Sequence, residues 1–417
     1  MAKKLIGPFT QLLPLANMPL HGALLDNTLE IIEKGGIVME HDLIIDVGPY
    51  PILQEKYGAT VTFVDIDTPT VCMPSYIDCH THIAFSGNRA NDFALRNAGA
   101  TYLEIAEAGG GIWSTVQHTR EAPEEELTAR IVERVDALIK QGITTIEVKS
   151  GYGLSVEQEV KTLRAIQQAQ KRVAADLVPT CLAAHMKPRD FDGDASVYLD
   201  KIASELFPIL QRENLTNRID AFVEKSAFSA TEIRPYFRKA KEQGFDITVH
   251  ADQFTTSGSV VAVEFGAVSA DHLEASTENE IQILAKSDTV AVALPGASLG
   301  LGYAYTPARR LLDEGAILAI ATDWNPGSAP MGQLMVQASI LATAEKLSNA
   351  EVFSALTFRA ARALNLSDRG QLKRGQLADF NIYMTSNYQN ITYKQGTLRP
   401  QQVWKSGKLI YTKGEQL

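Results

Sequence analysis

Residues 77–84 read Ile77-Asp78-Cys79-His80-Thr81-His82-Ile83-Ala84, a short apolar run with two histidines one residue apart. On an extended chain alternate side chains share a face, so His80 and His82 project the same way and can share one ion. A lone His-x-His means little, and its context decides the fold. Seven similar runs follow: Ile143 to Lys149, Val178 to His185, Ile219 to Glu224, Ile247 to Ala251, Val268 to His272, Val290 to Leu294 and Ile317 to Asp323. Helical patterns separate them, such as Glu124 to Lys140, Val156 to Val173, Ala195 to Arg212 and Ala230 to Glu242. Repeated strand–helix units over roughly 250 residues predict an α/β fold, a (β/α)8 TIM-like barrel. A doubly wound open sheet shares that alternation.

The polar residues favour the barrel. They gather where the apolar runs end: His80 and His82, Lys149, His185, Glu224, His250, His272 and Asp323. Five of the chain's eight histidines lie there, and barrel enzymes place their reacting groups at that end of the strands. A single such histidine is as readily a hydrogen-bonded core residue; five in register are much less so. Three imidazoles (His80, His82, His250) and the Asp323 carboxylate suit Zn²⁺ or Fe²⁺ with a position left for water. Such an ion lowers the pKa of its water from 15.7 to about 7, and Asp323 can take the water's proton.

Working outward, residues 24 to 73 and those after Gly370 have another rhythm. Short extended pieces (Thr28 to Ile32, Gly36 to Met39, Leu43 to Val47, Val61 to Val64, Asp379 to Tyr383, Pro400 to Trp404, Lys408 to Thr412) alternate with turns. We assign residues 1–73 and 365–417 to a composite β-sandwich module built from both chain ends, and 74–364 to the barrel.

Composition narrows the partners. Forty-nine acidic against 39 basic side chains give a net charge of −10 over 417 residues, which disfavours nucleic acid or an anionic membrane. Three cysteines (Cys72, Cys79, Cys181) cannot build a disulfide framework, so a cytoplasmic location is expected. The N-terminal lysines precede an apolar stretch, but Pro8, Gln11 and Pro14 interrupt it as a signal sequence. The uncharged stretch Thr289 to Ala308 holds Pro295, Gly296, Gly300, Gly302 and Pro307, and reads as a buried strand and a loop rather than a membrane span.

Together these residues resemble the amidohydrolase superfamily and, more closely, its imidazolonepropionase family. The resemblance covers nearly the whole chain. It rests on Asp78-Cys79-His80-Thr81-His82, Gly87-Asn88-Arg89-Ala90-Asn91, Gly109-Gly110-Gly111-Ile112 with Ser114-Thr115-Val116, Glu147-Val148-Lys149-Ser150-Gly151-Tyr152-Gly153, His250-Ala251-Asp252-Gln253, Ala270-Asp271-His272-Leu273-Glu274, Leu294-Pro295-Gly296 and Thr322-Asp323-Trp324-Asn325-Pro326-Gly327. The resemblance implies one divalent or trivalent ion, zinc or iron, on His80, His82, His250 and Asp323. It implies attack of metal-bound hydroxide on the ring carbonyl of 4-imidazolone-5-propanoate, whose cyclic amide C–N bond opens to N-formimidoyl-L-glutamate in histidine degradation. Catalytic roles fall to Asp323, His272 and Gln253, and substrate contacts to Arg89, Tyr102, Tyr152, His185, Gln253, Asn325, Gly327 and Ser328. A homodimer is implied, with a small molecule as the partner. An aromatic-base deaminase of the same superfamily and an inactive barrel acting as a binding protein are the competing readings.

Elementary chemistry fits several of these roles. Arg89 can pair bidentately with a propionate carboxylate. Tyr152, between two glycines past a strand end, can hang over the mouth. Lys149 reads as a pocket cation or as the carbamylated lysine of binuclear relatives. The Gly109–Gly111 run reads as a close approach or a helix terminus. The chain departs from the usual pattern at Pro74-Ser75, at Trp324, in the loop Met186-Lys187-Pro188 after His185, and at Gln253. Glutamine can hydrogen-bond a ring but cannot serve as a carboxylate base.

Overall fold

A computed structural model describes residues 3–66, 69–101, 104, 105 and 108–414. All eight expected strands form one parallel sheet in strict sequence order: Tyr76–Asp78, Ile143–Lys149, Asp176–Ala184, Arg218–Val223, Asp246–Ala251, Ser269–His272, Val290–Ala293 and Leu318–Ile320. The helices Glu124–Ile139, Val156–Gln170, Ala195–Arg212 and Ala230–Glu242 return the chain between them, within three residues of the periodicity that predicts them. Strands covered on both faces need no polar alternation, and every residue of Ile143–Lys149 is buried.

First and last strands meet just beyond their regular ladders. Asp323 N–H donates to the His80 carbonyl at 3.0 Å, and His82 N–H donates to the Trp324 carbonyl at 3.0 Å. Below them the buried Asp78 carboxylate accepts Thr322 N–H (3.0 Å) and the Thr322 hydroxyl (2.6 Å). The backbone that carries three metal-ligand candidates therefore also stitches the barrel seam.

Both chain ends contribute to a second eight-stranded sheet, in the order Lys408–Thr412, Gln402–Lys405, Phe380–Tyr383, Val71–Pro74, Lys3–Leu12, Ile32–Glu40 and Leu43–Pro49, with Val61–Asp65 also on Lys3–Leu12. Lys3–Leu12 is the hub, antiparallel to Ile32–Glu40 and parallel to Val61–Asp65 and Val71–Pro74. Pro8 argues against a strand there, and a register shift between Ile6 and Phe9 accommodates it. The expected extended piece Thr28 to Ile32 is instead a 3-10 turn, Asp26–Thr28, ahead of the strand Ile32–Glu40. Ser75 alone separates Val71–Pro74 from the first barrel strand. The joint is ionic: Lys405 Nζ lies 2.8 Å from Asp379 and 2.8 Å from Asp176 on the third barrel strand.

Within Thr289 to Ala308 the strand Val290–Ala293 runs into a short helix, Pro295–Leu301, closed by left-handed Gly302, rather than into a plain loop. Among the described residues no helix is long and apolar enough to cross a membrane. All three cysteines are buried and free.

Candidate metal centre and substrate pocket

Past the strand ends the side chains converge. His80 Nε2 lies 3.2 Å from His82 Nε2, which lies 3.1 Å from His250 Nε2. Asp323 Oδ1 lies 3.5 Å from His80 Nε2 and 3.4 Å from His82 Nε2. Four ligand atoms on one tetrahedral ion at usual Zn–N and Zn–O lengths stand about 3.4 Å apart. Asp323 Oδ1 is buried with no hydrogen-bond partner among the described residues, while its Oδ2 accepts Asn325 Nδ2 at 2.9 Å. A buried carboxylate oxygen without a hydrogen-bond partner, set against two imidazole nitrogens of a three-histidine cluster, is costly unless a cation joins them. The donor set fits a metal ion.

The ligands are held from below. His80 Nδ1 donates to Asp271 Oδ2 at 2.7 Å, and His250 Nδ1 lies 2.9 Å from Asp220 Oδ2. A carboxylate on Nδ1 leaves Nε2 with its lone pair outward, the tautomer a metal needs. Burial pushes His80 and His82 well below the usual imidazole range and His250 down to about 3, so all three are neutral at pH 7. Burial also pushes the Asp323 carboxyl up to about 7, which a nearby cation would reverse.

Lys149 is neither a pocket cation nor placed to ligate. It is fully buried beneath the ligands, with Nζ 2.7 Å from Glu147, 2.9 Å from Asp220 and 3.8 Å from Asp271. Burial opposes its charge, but Asp220, Glu147 and Asp271 outweigh it and hold the ammonium protonated. It balances the carboxylates that orient the ligands. Sequence reading misses this layer, although the alternation Glu147, Lys149 on one strand face is its trace.

The other expected residues are placed as follows. His272 is buried at the end of the sixth strand, its ring centroid 5.3 Å from that of His250 and 5.8 Å from that of His80, in a left-handed conformation (φ 86°) rare for a residue with a side chain. Its Nδ1 is 3.5 Å from Glu274 Oε1, which also accepts the Ser298 hydroxyl at 3.1 Å. Burial opposes a charge on His272, but Glu274 and Asp323 outweigh it and lift its pKa. Glu274 lies in the Ala270–Glu274 motif of the sequence, but only the fold gives it a role, against His272.

His185 donates Nδ1 to the Gly151 carbonyl at 2.9 Å, which leaves Nε2 as an acceptor, and its ring stacks on His82 at 5.5 Å. Burial pushes its pKa down to about 4. Tyr152 is buried beside it, ring centroids 5.6 Å apart. The Tyr152 loop is clamped by buried Glu159, which accepts N–H groups of Gly151 (3.0 Å), Gly153 (2.8 Å) and Leu154 (2.7 Å). Gln253 is half-buried in the loop after His250, and Glu224 holds that loop through the N–H groups of Phe254 (2.9 Å) and Thr255 (3.0 Å). Glu224 is therefore committed to loop structure.

Asn325 spends its amide locally. Nδ2 donates to Asp323 Oδ2 and to Ser328 Oγ (2.9 Å each), and Oδ1 accepts Gly327 N–H (2.7 Å) and Ser328 N–H (2.8 Å). The loop it folds presses on Arg89, since a Cβ at Gly327 would stand 2.3 Å from Arg89 Nη1. Tyr102 lies outside the described residues.

A parallel barrel with an ion-ready histidine–aspartate cluster at its C-terminal mouth is the frame of an amidohydrolase, and the amidohydrolase family model matches residues 105–411. Imidazolonepropionase of Bacillus cereus (strain G9842) is 39% identical over 393 residues, covering 94% of this chain and 92% of the relative. The chain belongs to the imidazolonepropionase family of amidohydrolases. Solved structures share the fold at low identity. A triazine hydrolase variant superposes with a TM-score of 0.73 at 14% identity, covering 98% of this chain and 95% of that one. An adenosine deaminase from Xanthomonas campestris with bound zinc gives 0.70 at 16%, covering 99% and 94%.

Proposed function

We propose that this chain hydrolyses 4-imidazolone-5-propanoate to N-formimidoyl-L-glutamate, the ring-opening step of histidine degradation, as an imidazolonepropionase-type cyclic amidohydrolase. The observation that carries this reading is the 323–328 loop. Through Asn325 it ties the metal-facing carboxylate of Asp323 to the glycine against which Arg89 rests. One loop thus couples a hydrolytic centre to a guanidinium suited to a propionate tail.

His80, His82, His250 and Asp323 would hold zinc or iron, which supplies a water acidic enough to attack at neutral pH and polarises the ring carbonyl. Water's oxygen adds to that carbonyl carbon, the ring C–N bond breaks, and the departing nitrogen takes a proton. Asp323 takes the proton from the attacking water and passes it to the departing nitrogen. His272 faces the developing oxyanion, with Glu274 against its Nδ1. His185, neutral, accepts a ring N–H at Nε2, Tyr152 walls the ring, and Gln253 hydrogen-bonds it. Arg89 takes the propionate, with Gly327 and Ser328 at its side, and Tyr102 completes the contacts. The working protein is a cytoplasmic homodimer whose barrel spans 74–364, with 1–73 and 365–417 as its β module.

The test is purified protein with synthetic 4-imidazolone-5-propanoate, following the product by mass spectrometry alongside zinc and iron content. Metal-dependent production of formimidoylglutamate is expected. Rapid ammonia release from aromatic bases with an intact imidazolone would overturn the reading.

A further inference from the structure

Two groups near Arg89 have no part in the chemistry above: Asp92 and the Gly109–Gly111 run. Asp92 is 5% exposed on the helix Ala90–Asn97, one turn beyond Arg89. Its Oδ2 accepts two donors, Arg89 Nε at 2.7 Å and Gly111 N–H at 2.8 Å. The run opens the helix Ile112–Glu121 and also closes the turn before it, with Gly110 N–H donating to the Ile105 carbonyl at 2.9 Å and Gly109 (φ 82°) and Gly111 (φ 79°) left-handed. At Gly110 the reason for glycine is space, since a Cβ there would stand 2.3 Å from Asp92 Oδ1. The turn is a seat shaped to one carboxylate, and that carboxylate holds one edge of one guanidinium.

Arg89 is fenced on its other side. Gly327 leaves no room for a side chain against Nη1, and Arg96 Nη2 reaches the same glycine's carbonyl at 3.5 Å. Arg96 Nε is buried with no partner among the described residues, and burial, reinforced by the charge of Arg89, lowers its pKa. Two guanidinium groups and one carboxylate leave one net positive charge, the complement of a single anionic tail. With Nε committed to Asp92, only the Nη end of Arg89 is free for it, so reach as well as charge is set.

We propose that Asp92, seated on the Gly109–Gly111 turn, is the positioning residue that fixes the Nη end of Arg89 at propionate length from the metal centre, and so sets chain-length specificity. This rests on the proposed substrate. Position and charge predict opposite signs. If Asp92 acted through charge alone, Asp92→Ala would raise the net positive charge and tighten anion binding. If it positions Arg89, the same change weakens binding despite the added charge.

The experiment compares KM and kcat of the metal-loaded wild type, Asp92→Ala, Asp92→Asn and Gly110→Ala on imidazolonepropionate and on its acetate homologue, one methylene shorter. For Asp92→Ala and Gly110→Ala we expect KM on the propionate to rise about tenfold, kcat to change less than about threefold and the preference over the acetate to shrink. Asparagine keeps an acceptor for both donors, so Asp92→Asn should stay within about threefold of wild type. An unchanged or lowered KM in Asp92→Ala, with the preference intact, overturns the proposal. If Asp92→Ala does not fold, Gly110→Ala decides, because it displaces the carboxylate without removing it. A wild type that does not open the ring defeats the proposed function instead, so the two failures are distinguishable.

Discussion

The barrel interior and the sheet made from the chain ends bury side chains for different ends. Beneath its mouth the barrel holds Glu147, Lys149, Thr180, Asp220 and Asp271, all fully buried. The terminal sheet packs Ile6, Phe9, Leu12, Ile37, Phe380, Ile382 and Trp404 into an apolar cluster. Buried charges cost desolvation, and well-packed apolar groups of the same volume would often be as stable or more so. The polar layer is explained by what stands on it, since Asp271 and Asp220 meet the Nδ1 atoms of two ligand histidines. The terminal sheet carries no such cluster among the described residues, and its bonds to the barrel at Asp176 are structural.

Substitutions should separate the two regions. The largest effect belongs to the ligands: His82→Ala should lower kcat/KM by at least about 10⁴-fold, because the nucleophile depends on the ion. Its melting temperature without metal should stay near that of the metal-free wild type. Near-normal turnover in chelator-treated buffer would remove the site. Next comes the layer beneath. Lys149→Met leaves carboxylates buried without their cation and should cost about 3–5 kcal/mol in urea unfolding. A stable variant with full metal content would mean that the layer is not needed to hold the ligands.

Lys405→Met tests the joint. Asp379 would lose its buried partner, at about 2–3 kcal/mol, with kcat unchanged. A fall in kcat at full occupancy would show that the terminal sheet shapes the mouth. The smallest effect is expected far from both: Ser229→Ala removes the capping box of the helix Ala230–Glu242 and should cost about 1 kcal/mol, visible in melting temperature and absent from the kinetics.

Much of this was legible in the residues because parallel strands buried on both faces leave unbroken apolar runs. All eight were located that way, and the second, Ile143–Lys149, to the residue. The strand Lys3–Leu12 was missed because Pro8 and the flanking lysines read as something other than a strand, and only a register shift reconciles them. The candidate ligands stand out in the sequence by their place at the strand ends. Their supports have no role until the chain folds: Glu159 sits in a helix and reaches back to three loop amides, and Glu274, although it belongs to the Ala270–Glu274 motif, finds its partner His272 only in the fold.

The sequence by itself determined the barrel, the module drawn from both ends and the identity of the candidate ligands. Each depends on local periodicity or on a residue's place at the end of a run. Only the tertiary structure decided which charges are spent internally. Lys149 became a buried counter-ion, Glu224 and Asn325 became loop clamps, and the glycine run became the seat of Asp92. The reason is that a side chain's partner lies across the fold, as Asp271 lies 191 positions from His80. Such pairings are set by barrel closure rather than by neighbours in the chain.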